Sequence, residues 1–255
     1  MKGIILAGGL GSRLFPLTKI TNKHLLPVYN RPMIHWPLLA MVEAGIRDIM
    51  IVTGGNFAGA FLQLLGNGRE FGLRDIHYTY QEGEGGIAAA LSLAEHFVDG
   101  DRCCVILGDN VVEKSIKPYV DAYAKQKSGA HIVLRDVPDP ERFGVCEFNA
   151  AGAITRIIEK PASPPSNKAV TGIYMYDEYV WEVIKTLKPS GRGELEITDV
   201  NNAYLRRGDL GYSQMDGWWT DAGTFESLLR ASNLVAEREA REPFTAGLKP
   251  VSEAP

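Results

Sequence analysis

The stretch that most constrains this chain is residues 3–14, Gly-Ile-Ile-Leu-Ala-Gly-Gly-Leu-Gly-Ser-Arg-Leu. A short apolar run suits a buried strand, and the glycines that end it let the backbone turn and approach a ligand closely. Their N–H groups can converge on an anion, and Arg13 sets a permanent positive charge beside them. Spacing excludes two commoner phosphate motifs. A Walker loop ends in Gly-Lys-Ser/Thr, where this chain has Arg13 and Leu14. A dinucleotide fingerprint read from Gly9 and Gly11 needs a third glycine, and Leu14 stands at that position. Downstream, Lys23 supplies a second cation, as a triphosphate requires when charge builds on a leaving pyrophosphate.

With 255 residues the chain can form one large domain or two small ones around a substantial core. Hydrophobic residues make up 45%, charged residues 23%, and the net charge is −4. These are values of an ordinary soluble protein, and the mild acidity argues against a nucleic-acid-binding surface. Cys103, Cys104 and Cys146 make neither a disulfide framework nor a zinc site. The adjacent pair is expected to alternate across a strand as small hydrophobes. No histidine pair has metal-ligand spacing. The first apolar run is too short for a signal peptide, and no run approaches the roughly 20 residues that span a bilayer. A cytoplasmic location is expected.

Periodicity predicts strands at 3–7, 48–53, 76–81 and 103–107, with helices at 33–44, 57–65 and 86–97 between them. That alternation belongs to a mainly parallel sheet covered by helices. Gly45 is a plausible cap for the first helix, and the turn at Gly85–Gly86 could admit a ligand close to the backbone. Further strands are expected at 131–137, 144–149, 154–159 and 169–176, and helices at 179–187, 197–207 and 224–241. The expected fold class is α/β, in three layers, with a mixed, mostly parallel sheet flanked by helices. The three-proline loop 161–167 is the segment expected to be mobile, and 242–255 is expected to be a flexible tail.

Nine segments carry a family resemblance. They are Leu-Ala-Gly-Gly-x-Gly-Ser-Arg-Leu (6–14), Lys23 with Leu-Leu-Pro-Val (25–28), Pro-Met-Ile (32–34) and Leu-Gly-Asp-Asn (107–110). Pro-Glu-Arg-Phe-Gly-Val (140–145), Glu-Lys-Pro (159–161) and Ala-Val-Thr-Gly-Ile-Tyr (169–174) follow. The last are Arg-Gly-Glu-Leu-Glu-Ile-Thr-Asp-Val-Asn (192–201) and Trp-Thr-Asp-Ala-Gly-Thr (219–224). In this order, over residues 1–235, the chain resembles the sugar-1-phosphate nucleotidyltransferases, most closely their glucose-1-phosphate thymidylyltransferase branch. The resemblance implies a nucleotide-diphospho-sugar transferase-like domain over 1–241, with a nucleotide part at about 1–110 and a sugar part at about 111–224. It also implies dimers or tetramers, to which Trp218 and the helix at Met33–Met41 could contribute, though core packing suits both equally well. Longer members carry C-terminal helices that help form an allosteric site, and these are not expected here.

The implied reaction joins a nucleoside triphosphate and a sugar 1-phosphate, giving a nucleotide-sugar and pyrophosphate. Its nucleophile is a substrate phosphate oxygen, so no side-chain nucleophile is required. By resemblance, Leu6, Ala7, Gly8, Gly9, Gly11, Ser12, Gln81, Gly86 and Asp109 bind the nucleotide. Arg13 and Lys23 stabilise the pyrophosphate, and Lys160 neutralises the attacking sugar phosphate. Gly144, Glu159, Val170 and Tyr174 form the sugar pocket. Asp109 and Asp221 hold Mg²⁺, the implied cofactor. Taken alone, each aspartate also suits a turn, and Val170 and Tyr174 suit ordinary core. Glu194 and Asp199 are read as mostly structural, suited to capping a helix N-terminus.

Base choice departs from the pattern. Thymidylyltransferases usually show Gln-Pro-x-x-x-Gly-Leu-Ala-Gln-Ala where residues 81–90 read Gln-Glu-Gly-Glu-Gly-Gly-Ile-Ala-Ala-Ala. Gln81 and Gly86 are kept, Ala89 replaces the base-reading glutamine, and His24 replaces a glutamine after Lys23. A pyrimidine triphosphate remains the expected donor, with UTP and CTP beside dTTP. Two alternatives stand: cytidylyl or uridylyl transfer to another phosphorylated or phosphonate acceptor, and a non-catalytic regulator that binds nucleotide-sugars. Neither a nucleic acid nor a membrane is an expected partner.

Overall fold

The computed structural model describes residues 1–241, and the tail expected at 242–255 lies outside them. The first half of the chain contains β1 (Lys2–Ala7), β2 (Pro27–Val28), β3 (Arg31–Pro32), α1 (His35–Glu43), β4 (Asp48–Gly54) and α2 (Ala58–Leu65). It continues with β5 (Asp75–Gln81), α3 (Ile87–Ser92), α4 (Glu95–Val98), β6 (Cys103–Leu107) and β7 (Asn110–Val112). The second half contains α5 (Lys117–Ala124), β8 (Ala130–Asp136), β9 (Gly144–Phe148), β10 (Ile154–Glu159) and β11 (Lys168–Tyr176). After these come α6 (Tyr179–Thr186), α7 (Ile197–Arg207), β12 (Leu210–Gln214), β13 (Trp219–Asp221) and α8 (Phe225–Arg241).

Nine strands form one mixed sheet with the path β10-β9-β11-β6-β1-β4-β5, and β8 and β12 join it through β11. Strands β6, β1, β4 and β5 are parallel, with Ile5 between Ile51 and Ile106 at the centre. The central strands β6, β1 and β4 are buried on both faces, which is why they read as mainly apolar runs, whereas β5 at the edge is half-exposed and mixed in sequence. Cys103 and Cys104 confirm the expected alternation, because they fall into separate apolar clusters on opposite faces of the sheet. All three cysteines are free and buried.

The sheet splits beside the site. The C-terminal half of β11 pairs antiparallel with β6, from Ile173 opposite Ile106, whereas Ala169 pairs with Val145 of β9. Gly172 lies at the fork, and a Cβ there would stand 2.6 Å from Asn110 Oδ1 and 2.7 Å from Leu107. Only glycine fits. Behind the fork, β7 and β13 pair as a short antiparallel ladder with Asp221 opposite Asn110. That ladder brings residues distant in sequence to the carboxyl end of β6.

Several expectations need correction. Asp221 ends a strand rather than sitting in a turn. The helix expected at 86–97 breaks at Leu93–Ala94, where the backbone hydrogen bonds reach back three residues instead of four. The loop 161–167 is anchored: Pro161 is buried, and Ser166 Oγ donates to the Cys146 carbonyl at 2.6 Å. Trp218 is half-buried against the cluster under α8, and Met33, Trp36, Leu38 and Met41 are buried within the chain. Neither Trp218 nor α1 offers the free apolar face expected for subunit contact.

Candidate active site

A cleft of about 530 Å³ opens at the carboxyl ends of β1 and β6, within the range of small-molecule sites. Leu6, Gly8, Gly9, Gly11, Ser12, Arg13, Lys23, Gln81, Gly86 and Asp109 line one side. Gly144, Glu159, Lys160, Val170 and Asp221 line the other. Ala7 and Tyr174 are not among its walls. Ala7 is wholly buried at the end of β1, and Tyr174 is 4% exposed and stacks on Tyr176 at 6.1 Å between centroids. Both belong to the packing behind the cleft.

The glycine turn works by contact as well as by conformation. Gly11 has φ 70, the left-handed region that glycine enters without penalty. A Cβ on Gly8 would meet Gln81 Oε1 at 2.3 Å, so the Gln81 amide lies directly over the turn. Gly86 also has positive φ, but what approaches it is protein: a Cβ there would stand 2.6 Å from the Leu195 carbonyl. Leu195 N donates to the Gly85 carbonyl and Ala88 N to the Leu195 carbonyl, tying the two walls together. Ile87 and Ala90 face the cleft, whereas Ala89 is absent from its lining.

Charges converge at one point. A Cβ built on Gly223 would lie 3.1 Å from Arg13 Nη2, 3.2 Å from Asp221 Oδ2 and 3.3 Å from Asp109 Oδ2. Ala222 N donates to the Asp109 carbonyl at 2.9 Å, which fixes this approach. Lys23 Nζ donates to Asp109 Oδ2 at 2.6 Å, and Asn110 Nδ2 donates to Oδ1 at 3.1 Å. Asn110 is itself clamped, its Oδ1 accepting from Gly172 N and from the Trp219 indole at 3.0 and 2.7 Å.

The two carboxylates are tuned apart. Burial opposes ionisation of Asp109, yet the Lys23 ammonium and the hydrogen bonds to it hold its pKa well below the usual 3.8. Asp221 is pushed up, first by burial and then by the charge of Asp109, with Arg142 opposing. His24, buried next to Lys23 in the chain, has its pKa pushed down to about 3 by burial and by Lys23, so it is neutral at pH 7. Among the described residues no group of three or more acidic, histidine or cysteine side chains could enclose a metal alone. Two convergent carboxylates instead fit a hard divalent ion that takes its remaining oxygens from phosphates and water.

On the opposite wall, Lys160 follows β10 with φ 42, an uncommon conformation for a side-chain-bearing residue. Its backbone N donates to the Phe143 carbonyl at 2.9 Å, which holds it there. Glu159 Oε2 accepts from Thr198 Oγ1 at 2.6 Å. Arg192 lies against Glu159 at 3.6 Å and makes a fork onto Glu196 through Nε and Nη2. Ser190 Oγ also donates to Glu196 Oε1 at 2.7 Å. Glu194 lines the cleft and accepts from Arg192 rather than capping α7, whereas Asp199 lies outside the cleft lining in the first turn of α7, where its charge suits the helix dipole as expected, though no side chain caps the helix.

Sequence reasoning passed over Arg142, Arg192, Glu196 and Gly223. Arg142 Nη2 reaches both Asp221 oxygens at 3.1 and 2.9 Å. The signal was there: both arginines stand inside motifs already singled out, and Arg142 adjoins Phe143, which lines the cleft.

The fold and this cleft define a nucleotide-handling α/β enzyme. The sequence matches the profile of the family described as nucleotidyl transferase over residues 2–238, and the chain belongs to that family. Glucose-1-phosphate thymidylyltransferase of Neisseria meningitidis is 46% identical over 92% of this chain and 82% of its own length. The enzyme of that name from Actinoplanes is 44% identical, covering 92% and 78%. A Bacillus anthracis protein assigned to the same activity, crystallised with sucrose, is 56% identical with TM-score 0.88, covering 92% of this chain and 94% of its own. A UDP-glucose pyrophosphorylase complexed with UDP-glucose is 25% identical with TM-score 0.81, covering 93% and 98%. The chain is thus a nucleotidyltransferase similar to glucose-1-phosphate thymidylyltransferases. No described helix is long and apolar enough to cross a membrane.

Proposed function

We propose that this chain transfers a nucleotidyl group from a pyrimidine nucleoside triphosphate to a sugar 1-phosphate, releasing pyrophosphate, with glucose 1-phosphate and dTTP as first substrates. The observation that carries the reading is the meeting of Arg13, Asp109 and Asp221 at Gly223, between the glycine turn and the wall of Glu159, Lys160 and Arg192. The nucleotide part, about 1–110, holds the triphosphate, and the part at about 111–224 holds the acceptor. Names of the relatives support glucose 1-phosphate and a thymidylyl donor, and Ala89 keeps UTP and CTP as donors to test.

The acceptor phosphate oxygen attacks the α-phosphorus as the bond to pyrophosphate breaks, so the task of the protein is alignment and charge. Lys160 and Arg192 offset the charge of the acceptor phosphate, lowering repulsion as it closes on the α-phosphorus. Arg13 and Lys23 face the charge that moves onto pyrophosphate. Glu159 accepts hydrogen bonds from sugar hydroxyls, oriented by Thr198. Asp109 and Asp221 would hold Mg²⁺, which would supply Lewis-acid polarisation of the phosphates. Trp219 and Asn110 keep Asp109 oriented. Homodimers or homotetramers are proposed from the family alone, with any interface elsewhere than α1.

Pyrophosphate release with glucose 1-phosphate and Mg²⁺, across dTTP, UTP, CTP, ATP and GTP, tests this. Release with a pyrimidine supports it. Silence with all five, together with tight nucleotide-sugar binding, overturns it in favour of a non-catalytic binder.

A further inference from the structure

We propose that Arg142 is a displaceable counter-ion that closes Asp221 to a divalent cation until a nucleoside triphosphate enters. The inference rests on reading the cleft as the nucleotidyl-transfer site.

Both carboxylates proposed to hold the metal are already engaged by the protein's own cations. Lys23 sits on Asp109 at 2.6 Å, and Arg142 Nη2 spans both oxygens of Asp221. The opposite arm of the same guanidinium donates from Nη1 to Asp139 Oδ2 at 2.7 Å. The guanidinium carbon lies 5.1 Å from the Phe143 ring centroid, and the residue lines the cleft. Asp139 and Phe143 give Arg142 a support that does not depend on Asp221. Releasing Asp221 therefore leaves the arginine anchored at one end, with its other nitrogen free to meet a phosphate.

Charge decides when this happens. Lys23 holds Asp109, and Arg142 holds Asp221 with one arm and Asp139 with the other, so a bare divalent ion that takes the two cleft carboxylates leaves the Lys23 ammonium and the Nη2 arm of Arg142 without the anion each now holds. A triphosphate brings those anions. Arg142 and Lys23 can then pass from carboxylate to phosphate while Asp109 and Asp221 become ligands. Metal and triphosphate are coupled through this exchange, and the coupling is reciprocal.

Mn²⁺ binding to the full chain, followed by the EPR signal of the free ion, tests the exchange with and without the α,β-methylene analogue of each pyrimidine triphosphate. Wild-type protein should bind Mn²⁺ about tenfold more weakly alone than with the analogue that binds, a coupling of ordinary size. Arg142→Met should tighten Mn²⁺ binding to the free protein severalfold and shrink that difference. Arg142→Lys, which keeps charge but loses the fork, should fall between, and it carries the test if the methionine variant melts early. Unchanged or weaker Mn²⁺ binding in these variants, with normal binding in the presence of an analogue, overturns the role of Arg142 alone. No Mn²⁺ binding with any analogue overturns the metal reading of the cleft as well.

Discussion

Replacing Gly223 by alanine sets a methyl group where the charged groups of the cleft meet. Its Cβ would stand 3.1 Å from Arg13 Nη2, 3.2 Å from Asp221 Oδ2 and 3.3 Å from Asp109 Oδ2, against ordinary contacts of 3.4–4 Å. Each group must give way by a few tenths of an ångström. The backbone at Gly223 is outside the left-handed region, so the substitution costs the fold little. A displacement of about 1 Å in a reacting site costs about 10²-fold, and shifts of a few tenths at three groups together approach that loss. The methyl also fills space between the carboxylates that a metal would share. We expect kcat for pyrophosphate release to fall about 10²-fold, or about 2.7 kcal/mol, with Tm within about 3 °C of wild type. Steady-state kinetics and a calorimetric melt give both values. Activity within about threefold of wild type would refute the claim that chemistry occurs at this point, since ~0.6 kcal/mol is too little for three displaced charges. A large fall in Tm would move the effect to the fold.

The two aspartates should differ in stability while agreeing in activity. Asp109 has a depressed pKa, so its contribution is present above the ordinary 3.8 and lost as pH falls through its lower folded value. Asp221 has a raised pKa, so its contribution is present below 3.8 and lost as pH rises through the raised value. Melts at pH 7 should show Asp109→Asn destabilised and Asp221→Asn unchanged or stabilised, while turnover collapses in both. Glu196→Gln removes the anion that holds Arg192; KM for the sugar phosphate should rise about tenfold with KM for the triphosphate unchanged, and stability should fall by about 1–2 kcal/mol because the pair is partly screened. His24, pushed to about 3 mainly by burial, takes up its proton on unfolding, so stability falls as pH drops below 6.5. Urea melts should show about 2 kcal/mol lost between pH 7 and pH 5 from this residue, and His24→Gln should remove that slope.

Much of the first half of the chain was legible because buried parallel strands carry their own signature. The runs at β1, β4 and β6 are apolar at their centres, and Cys103 and Cys104 could be assigned to opposite faces from adjacency alone. The ladder of β7 and β13 was not legible, since three-residue strands carry no period. Neither was α5 read, although Tyr119, Val120 and Tyr123 form its buried face and Lys117 pairs with Asp121 on the exposed one. In the site, Arg13 and Asp109 were readable because each adjoins a glycine turn or strand end in sequence, and Lys23 as a second cation ten residues past that turn. Arg142, Arg192 and Glu196 were not, because a charge on a loop looks solvated until folding supplies its partner. Gly86 is the instructive case. A close approach to its backbone was expected, but of a ligand; what approaches is the chain at Glu194–Leu195, from more than a hundred residues away.

The central claim is direct attack by the acceptor phosphate, with no nucleophile supplied by the protein. Exchange of labelled pyrophosphate into the pyrimidine triphosphate tests it most directly. Exchange should occur only when sugar 1-phosphate is present, because only then can the transfer run forward and back. Exchange with enzyme, Mg²⁺ and triphosphate alone would reveal a nucleotidylated side chain and contradict direct attack.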